Sequence, residues 1–222
     1  MNAAERALEF VEDGQVVGLG TGRAAAAFVR ALGDRVKNDG LQVCGVPTSE
    51  ATEDLARGLG IPLLDMTDVE AIDVTFDGAD EVDPSLDVIK GYGGALVREK
   101  IVASASRKLV ILVGHDKLVS RLGQRGKLPV EIVPFAVSLC RRRFAALGFP
   151  ADLRHGEDGE PLMSDNGNWI LDCRVERIPN PAHLDSALLG IPGVVGTGLF
   201  VEMADIVLVE DGDSVELRER PR

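Results

Sequence analysis

The sequence predicts an α/β fold, a mostly parallel sheet covered by helices, with a smaller α+β unit inserted around residues 127–200. Three observations carry this expectation. Short apolar runs alternate with helical patterns through the first half of the chain, the order in which parallel strands and their covering helices follow one another. The run KLVILVG (108–114) is almost continuously apolar, as a central strand buried on both faces must be. Beyond residue 126 the pattern becomes strand, helix, strand, strand, helix, strand, which suits a compact α+β unit. The main domain is therefore expected over 1–126 and 201–222, and the inserted one over 127–200.

The elements follow in order. MNAAERALEFVEDG reads as a short amphipathic helix with interspersed acids, not as a basic, apolar leader. QVVGLG (15–20) is a buried strand running into glycines, and TGRAAAAFVRALGDRV (21–36) has apolar positions at helical spacing. LQVCGVP (41–47) is the next strand. TSEATEDLARGLG (48–60) is a helix with Thr48 or Ser49 as N-cap and a glycine at its end. IPLLD and AIDVTFDG are two short strand candidates, and ALVREKIVASA (95–105) is helical.

In the second half, KLPVEIV (127–133) and PADLR (150–154) are strands flanking a helix, VPFAVSLCRRRFAALG, that ends at Gly148. The polar stretch HGEDGEPLMSDNGN is a hairpin or exposed loop before WILDCRV (169–175). PAHLDSALLGIPGVVGTGLF (181–200) supplies a helix, a turn and a strand. MADIVLVEDG (203–212) is a last strand that returns to the main sheet.

Composition narrows the function. The chain has 222 residues, 45% of them hydrophobic, enough to bury a substantial core, and a formal net charge of −12. Such an acidic surface opposes nucleic acid and anionic membranes, whose recognition needs clustered Lys and Arg. No apolar run approaches the roughly 18 residues of a membrane span. Cys44, Cys140 and Cys173 lie far apart, an odd and sparse set that suits a reduced cytoplasm. Neither they nor His115, His155 and His183 have zinc-ligand spacing.

GLGTG (18–22) lies at a strand-to-helix junction, where helix-terminal N–H groups form a site for anions. It is no dinucleotide fingerprint, because Arg23 stands where the third glycine of G-x-G-x-x-G belongs, and no Walker A loop. Two readings remain. The glycines permit close strand–helix packing, or the loop holds a phosphate through Thr21 and the backbone of Gly22, Arg23 and Ala24.

The segment FDGADEVDPSLDVIKGYGGALVREK (76–100) collects Asp77, Asp80, Glu81 and Asp83 at the carboxyl end of a strand, where open α/β sheets bind ligands. Ala79 breaks the spacing of a calcium loop; magnesium on two aspartates and a solvated acidic turn both remain open. The third reading is a proton-transfer site. Lys90 precedes Gly91-Tyr92-Gly93-Gly94, a loop whose backbone can approach a ligand, and keeps nearby aspartates ionised. Glu99 falls between Val102 and Ala103 on its helix, an apolar sector in which desolvation favours a general base working near neutral pH. Against this stands an ordinary exposed helical glutamate.

The combination GLGTG, GVPTSEAT, DGADEVD, KGYGGALVREKIV, LPVEIVPF, DNGNWILD and IPGVVGTGLF, in that order across residues 16–200, closely resembles ribose-5-phosphate isomerase of the A type. The resemblance implies a Rossmann-like α/β domain with a smaller ferredoxin-like domain, and interconversion of ribose 5-phosphate and ribulose 5-phosphate without metal or organic cofactor. It implies Glu99 as the base, Asp77 and Asp80 as hydroxyl-binding and ring-opening groups, and Lys90 as the oxyanion stabiliser. Gly78, Ala79, Gly91, Tyr92, Gly93 and Lys117 would line the substrate, with Thr21, Gly22, Arg23 and Ala24 around its phosphate. A homodimer or dimer of dimers is implied as well.

Two departures stand out. The family loop usually reads G-T-G-S-T, where this chain has Arg23 and Ala24, and the usual N-terminal lysine has no counterpart before Arg6. Arg23 is the expected substitute phosphate ligand. Two other readings stay open: an isomerase of another phosphorylated sugar, and a non-catalytic sugar-phosphate sensor on the same fold.

Overall fold

The computed structural model describes residues 2–220. In chain order its regular elements begin with α1 (Ala3–Ala7), β1 (Val16–Leu19), α2 (Arg23–Asp39), β2 (Cys44–Pro47), α3 (Glu50–Gly58) and β3 (Val74–Gly78). There follow β4 (Glu81–Val82), β5 (Val88–Ile89), α4 (Leu96–Ser104), β6 (Leu109–Gly114), β7 (Lys127–Ile132), α5 (Val137–Ala146) and β8 (Ala151–Leu153). The last are β9 (Trp169–Arg174), α6 (Pro181–Leu189), β10 (Val194–Thr197), β11 (Leu199–Phe200), β12 (Ile206–Asp211) and β13 (Ser214–Glu219).

The chain divides into two compact units. One comprises the chain through Ala79, Arg98–Lys117 and the stretch from Met203 onward; the other comprises Asp80–Val97 and Leu118–Glu202. The sequence places the first crossing at residue 126, whereas Asp80–Val97 and the residues after Lys117 group with the second unit. The reason lies in two short strands absent from the sequence reading: β4 pairs with β5, β5 pairs also with β11, and Val82 bridges Leu118.

The first unit is built on a six-stranded sheet in the order β13-β12-β6-β3-β1-β2. Strands β2, β1, β3, β6 and β12 run parallel, and β13 is an antiparallel edge. IPLLD contributes only an isolated bridge from Leu63 to Gly45. β12 joins the main sheet as expected, but β13 after it was not foreseen, because SVELRE is a largely exposed edge strand with only Val215 and Leu217 alternating. Helix α2 buries Ala25, Phe28, Val29 and Leu32 at helical spacing, and Phe28 stacks on Phe76 of β3 with ring centroids 4.1 Å apart. Fully burying side chains of this size contributes about 1.5–3 kcal/mol each.

The second unit holds a four-stranded antiparallel sheet in the order β10-β7-β9-β8. With α5 between β7 and β8 and α6 between β9 and β10, this is the βαββαβ order of a ferredoxin-like layer. Its core joins Leu128, Val130 and Ile132 of β7 to Cys140 and Phe144 of α5 and to Leu184 and Leu188 of α6. The stretch 155–168 forms the hairpin expected of it, bridged at His155–Pro161 and Met163–Trp169. Among the described residues no helix is long and apolar enough to cross a membrane.

Candidate active site

In the first unit the strand order reverses between β1 and β3: the chain winds outward from β1 to β2 on one side and from β3 to β6 on the other. Crevices at the carboxyl ends of the strands on either side of such a switch are where open α/β sheets bind ligands. GLGTG follows β1 and Asp77-Gly78 ends β3, with Leu19 in register with Phe76. The two motifs are therefore neighbours because of topology.

Their contact is close. A Cβ at Gly20 would lie 2.4 Å from the Asp77 carboxyl carbon and 2.5 Å from the Phe76 carbonyl oxygen. Gly20 N–H instead donates to Phe76 O at 2.9 Å. Asp77 is 1% exposed, and its Oδ1 accepts from the N–H groups of Gly78 at 2.7 Å and Thr21 at 3.2 Å. Gly18 is likewise a packing glycine, its Cβ position overlapping Thr75. The packing reading of the glycine loop holds at Gly18 and Gly20, while Gly22, at φ +103°, turns the chain into α2. The N–H groups that open a helix have no carbonyl within it to bond, and Arg23 and Ala24 supply two of them, with the Arg23 side chain exposed.

Thr21 is engaged by protein. Its Oγ1 lies 2.7 Å from Thr48 Oγ1, donates to Ser49 Oγ at 2.8 Å, and is 3.2 Å from Thr52 Oγ1. Thr52 in turn donates to Gly20 O. Ser49 is the N-cap of α3, accepting from Thr52 N–H. The sequence marked Thr48 and Ser49 only as capping candidates; a cluster of four hydroxyls beside the loop needed the fold to assemble it. Lys117 follows β6 in a single helical turn and is half-buried.

In the second unit, Asp80 Oδ2 accepts from Tyr92 N–H at 3.0 Å, and Asp80 N–H donates to Ile89 O at 2.8 Å. Lys90 is 3% exposed; its N–H donates to Gly198 O, and its Nζ lies 5.6 Å from the Phe200 ring centroid. Gly91 has φ +99° and abuts Leu96 and Pro129, so a side chain is excluded twice over. Gly93 is exposed. Burial, then the negative charges of Glu81 and Asp80, push the Tyr92 phenol well above its ordinary value. Its Oη donates to Lys127 O at 3.2 Å, and Lys127 Nζ lies 4.7 Å from its ring centroid.

The remaining acids of the stretch separate from the site. Glu81 is fully buried and accepts from the N–H groups of Gly123 (2.7 Å), Gln124 (3.2 Å) and Arg125 (2.7 Å), tying down that loop. Asp83 Oδ1 accepts from Ser85 and Asp87 N–H and shapes the turn. Asp87 Oδ1 accepts from Glu202 N–H. Glu99, on α4, is 4% exposed, in line with the apolar sector read from its spacing and not with an exposed helical glutamate. Among the described residues no three His, Cys, Asp or Glu side chains are grouped to hold a metal.

Fold and site together define an α/β protein with acids and a glycine-rich loop at its strand ends. Residues 44–214 match the family model of ribose 5-phosphate isomerase A (phosphoriboisomerase A). The chain is 48% identical over 220 residues to ribose-5-phosphate isomerase A of Roseiflexus castenholzii, covering 99% of this chain and 94% of that one. It is 50% identical over 221 residues to the same-named protein of Thermomicrobium roseum, covering 99% and 93%. Ribose 5-phosphate isomerase A of Methanocaldococcus jannaschii superposes with a TM-score of 0.94 at 39% identity, over 98% of this chain and 96% of that one. A D-ribose-5-phosphate isomerase in complex with phospho-erythronic acid superposes with a TM-score of 0.95 at 40% identity, over the same shares. The chain belongs to the ribose 5-phosphate isomerase A family.

Proposed function

We propose that this chain is an aldose–ketose isomerase interconverting D-ribose 5-phosphate and D-ribulose 5-phosphate, a step of the non-oxidative pentose phosphate pathway. Family membership along almost the whole chain is the observation that carries this reading. It is supported by retention of DGAD, KGYGG and VREK. Phospho-erythronic acid, the ligand of one relative, ends in a planar carboxylate, the shape of an enediolate.

In this reading Asp77 and Asp80 bind sugar hydroxyls and assist ring opening: the O1 hydroxyl loses its proton, the C1–O4 bond breaks, and O4 takes up a proton. Glu99 then removes the C2 proton. The C–H electron pair becomes the C1=C2 bond, and the carbonyl pair moves onto O1, where the Lys90 ammonium offsets the developing charge. The O2 proton passes to O1, and Glu99 returns its proton to C1, leaving a ketone at C2. No electron leaves the substrate, so a base and an oxyanion stabiliser suffice, without a cofactor. Gly78, Ala79, Gly91, Tyr92, Gly93 and Lys117 contact the sugar, and Thr21, Gly22, Arg23 and Ala24 surround the phosphate.

The test is ketose formation from D-ribose 5-phosphate in the presence of EDTA. The expected result is wild-type turnover and a loss of roughly 10²–10⁴-fold in Glu99→Gln, the range of general acid–base catalysis. Turnover that needs added divalent metal would overturn the mechanism. Activity confined to another phosphorylated aldose, or binding without turnover, would overturn the assignment; retention of the Glu99 carboxylate disfavours the second. The same family membership supports a homodimer or a dimer of dimers in the cytoplasm, which light scattering on purified protein tests for its assembly.

A further inference from the structure

We infer that Arg154 and Asp172 are positioning residues for this reaction: a largely buried ion pair that fixes the peptide plane between Gly91 and Tyr92 and, through it, the carboxylate of Asp80. The inference rests on the isomerase reading above and assigns a task to Arg154, outside every quoted motif, and to Asp172, the last residue of DNGNWILD.

All the groups lie in the second unit. Arg154 continues β8, its N–H donating to Ile170 O at 2.9 Å, and its side chain is 9% exposed. Nε donates to Asp172 Oδ2 at 2.9 Å and Nη2 to Oδ1, a bidentate pair with the carboxylate on β9. The fork leaves Nη1, which donates to Gly91 O at 2.9 Å and Tyr92 O at 3.0 Å. A pair that only stapled β8 to β9 would not need these last two bonds.

Gly91 O and Tyr92 N–H belong to one peptide unit, which is planar and trans. Arg154 holds its oxygen end, and Asp80 Oδ2 accepts from its N–H end at 3.0 Å. Rotating that plane would move both bonds at once, so the guanidinium sets the donor to which the Asp80 carboxylate is tethered. A charged donor on the carbonyl also polarises the amide and strengthens the N–H on the other side. The loop needs such a restraint from outside. Gly91, Gly93 and Gly94 make it the most permissive backbone of the segment, and glycine loses the most freedom on ordering. Lysine cannot replace the planar fork, which spans two carboxylate oxygens and two carbonyls in one geometry.

The experiment compares the wild-type protein with Arg154→Ala, Arg154→Lys and Asp172→Asn in steady-state turnover of D-ribose 5-phosphate, with circular dichroism and melting to establish folding. Misplacing a reacting group by about 1 Å costs up to roughly 100-fold in rate. Arg154→Ala is therefore expected to lose about 10- to 100-fold in kcat with KM within about threefold. Arg154→Lys recovers only part of that loss, and Asp172→Asn falls between the alanine variant and wild type. Added guanidinium chloride restores part of the rate in Arg154→Ala but none in Glu99→Gln. If Arg154→Ala does not fold, the other two variants carry the same kcat-against-KM comparison. Folded variants within about twofold of wild-type kcat, or a loss confined to KM, would overturn the positioning role while leaving the isomerase reading intact. A wild-type protein that does not turn over ribose 5-phosphate would overturn both.

Discussion

The backbone N–H of Tyr92 donates to Asp80 Oδ2 at 3.0 Å, joining an acid of the DGAD motif to the glycine-rich loop twelve residues further on. The bond needs an acceptor oxygen and not a charge. Asp80→Asn keeps an acceptor for Tyr92 and removes the ionised carboxylate. The expected outcome is a melting temperature close to that of wild type with kcat reduced by roughly tenfold or more. A variant that melts early would instead assign Asp80 to holding the loop together.

Glu81 looks like a neighbour of that site in the sequence and is a structural anchor in the fold. Its carboxylate serves three backbone N–H groups of residues 123–125 while fully buried. Each buried donor left without a partner costs about 1–3 kcal/mol. Of the three bonds only that from Gly123 is fully buried, so Glu81→Ala is expected to lower unfolding free energy by at least about 1 kcal/mol, read from a urea midpoint, and Glu81→Gln to lower it less.

Arg23 opens α2 with its side chain exposed. A cation at a helix N-terminus opposes the helix dipole, so its presence favours a ligand and not the fold. Arg23→Ala is expected to raise KM for ribose 5-phosphate several-fold with kcat unchanged and stability unchanged or slightly increased. An unaltered KM would remove Arg23 from the phosphate site.

Alkaline stability follows from the core of the second unit. Burial, reinforced by Asp172 and Cys140, pushes the Cys173 thiol up to about 12, and burial also raises Cys140. Below about pH 9 both folded and unfolded chains keep these protons, and the contribution to stability is complete. As pH rises from about 9 toward 12 the unfolded chain ionises while folded Cys173 does not. The unfolded state then binds fewer protons, and stability falls with pH across that window. Urea unfolding at pH 8 and pH 10.5 should show the decline, reduced in Cys173→Ala. In the native protein a thiol reagent should reach Cys44 first, since Cys140 and Cys173 are buried.

Much of the fold was legible because burial leaves a pattern. LVILVG must be apolar on both sides to sit between β3 and β12, and the helical spacing around Phe28 and Leu32 follows from packing on one face. Strands β4 and β5 left no such trace. Two residues each are too short for a period, and the outer partner of β5, β11, lies more than a hundred residues away. That pairing is what moves Asp80–Val97 into the second unit.

The sequence alone determined the α/β class, the inserted βαββαβ layer and the family, because each is written in local periodicity or in contiguous motifs. For Glu99 it offered an apolar sector, and the structure decided its burial. Only the tertiary structure decided which acids of FDGADEVD face what. Asp77 meets Gly20 and Thr21 because β1 and β3 are adjacent, Glu81 turns to the N–H groups of a loop forty residues on, and Arg154 reaches Gly91 and Tyr92. These are hydrogen bonds between residues distant in the chain, and their geometry is set by strand order and loop closure, which leave no signature in the spacing of residue types.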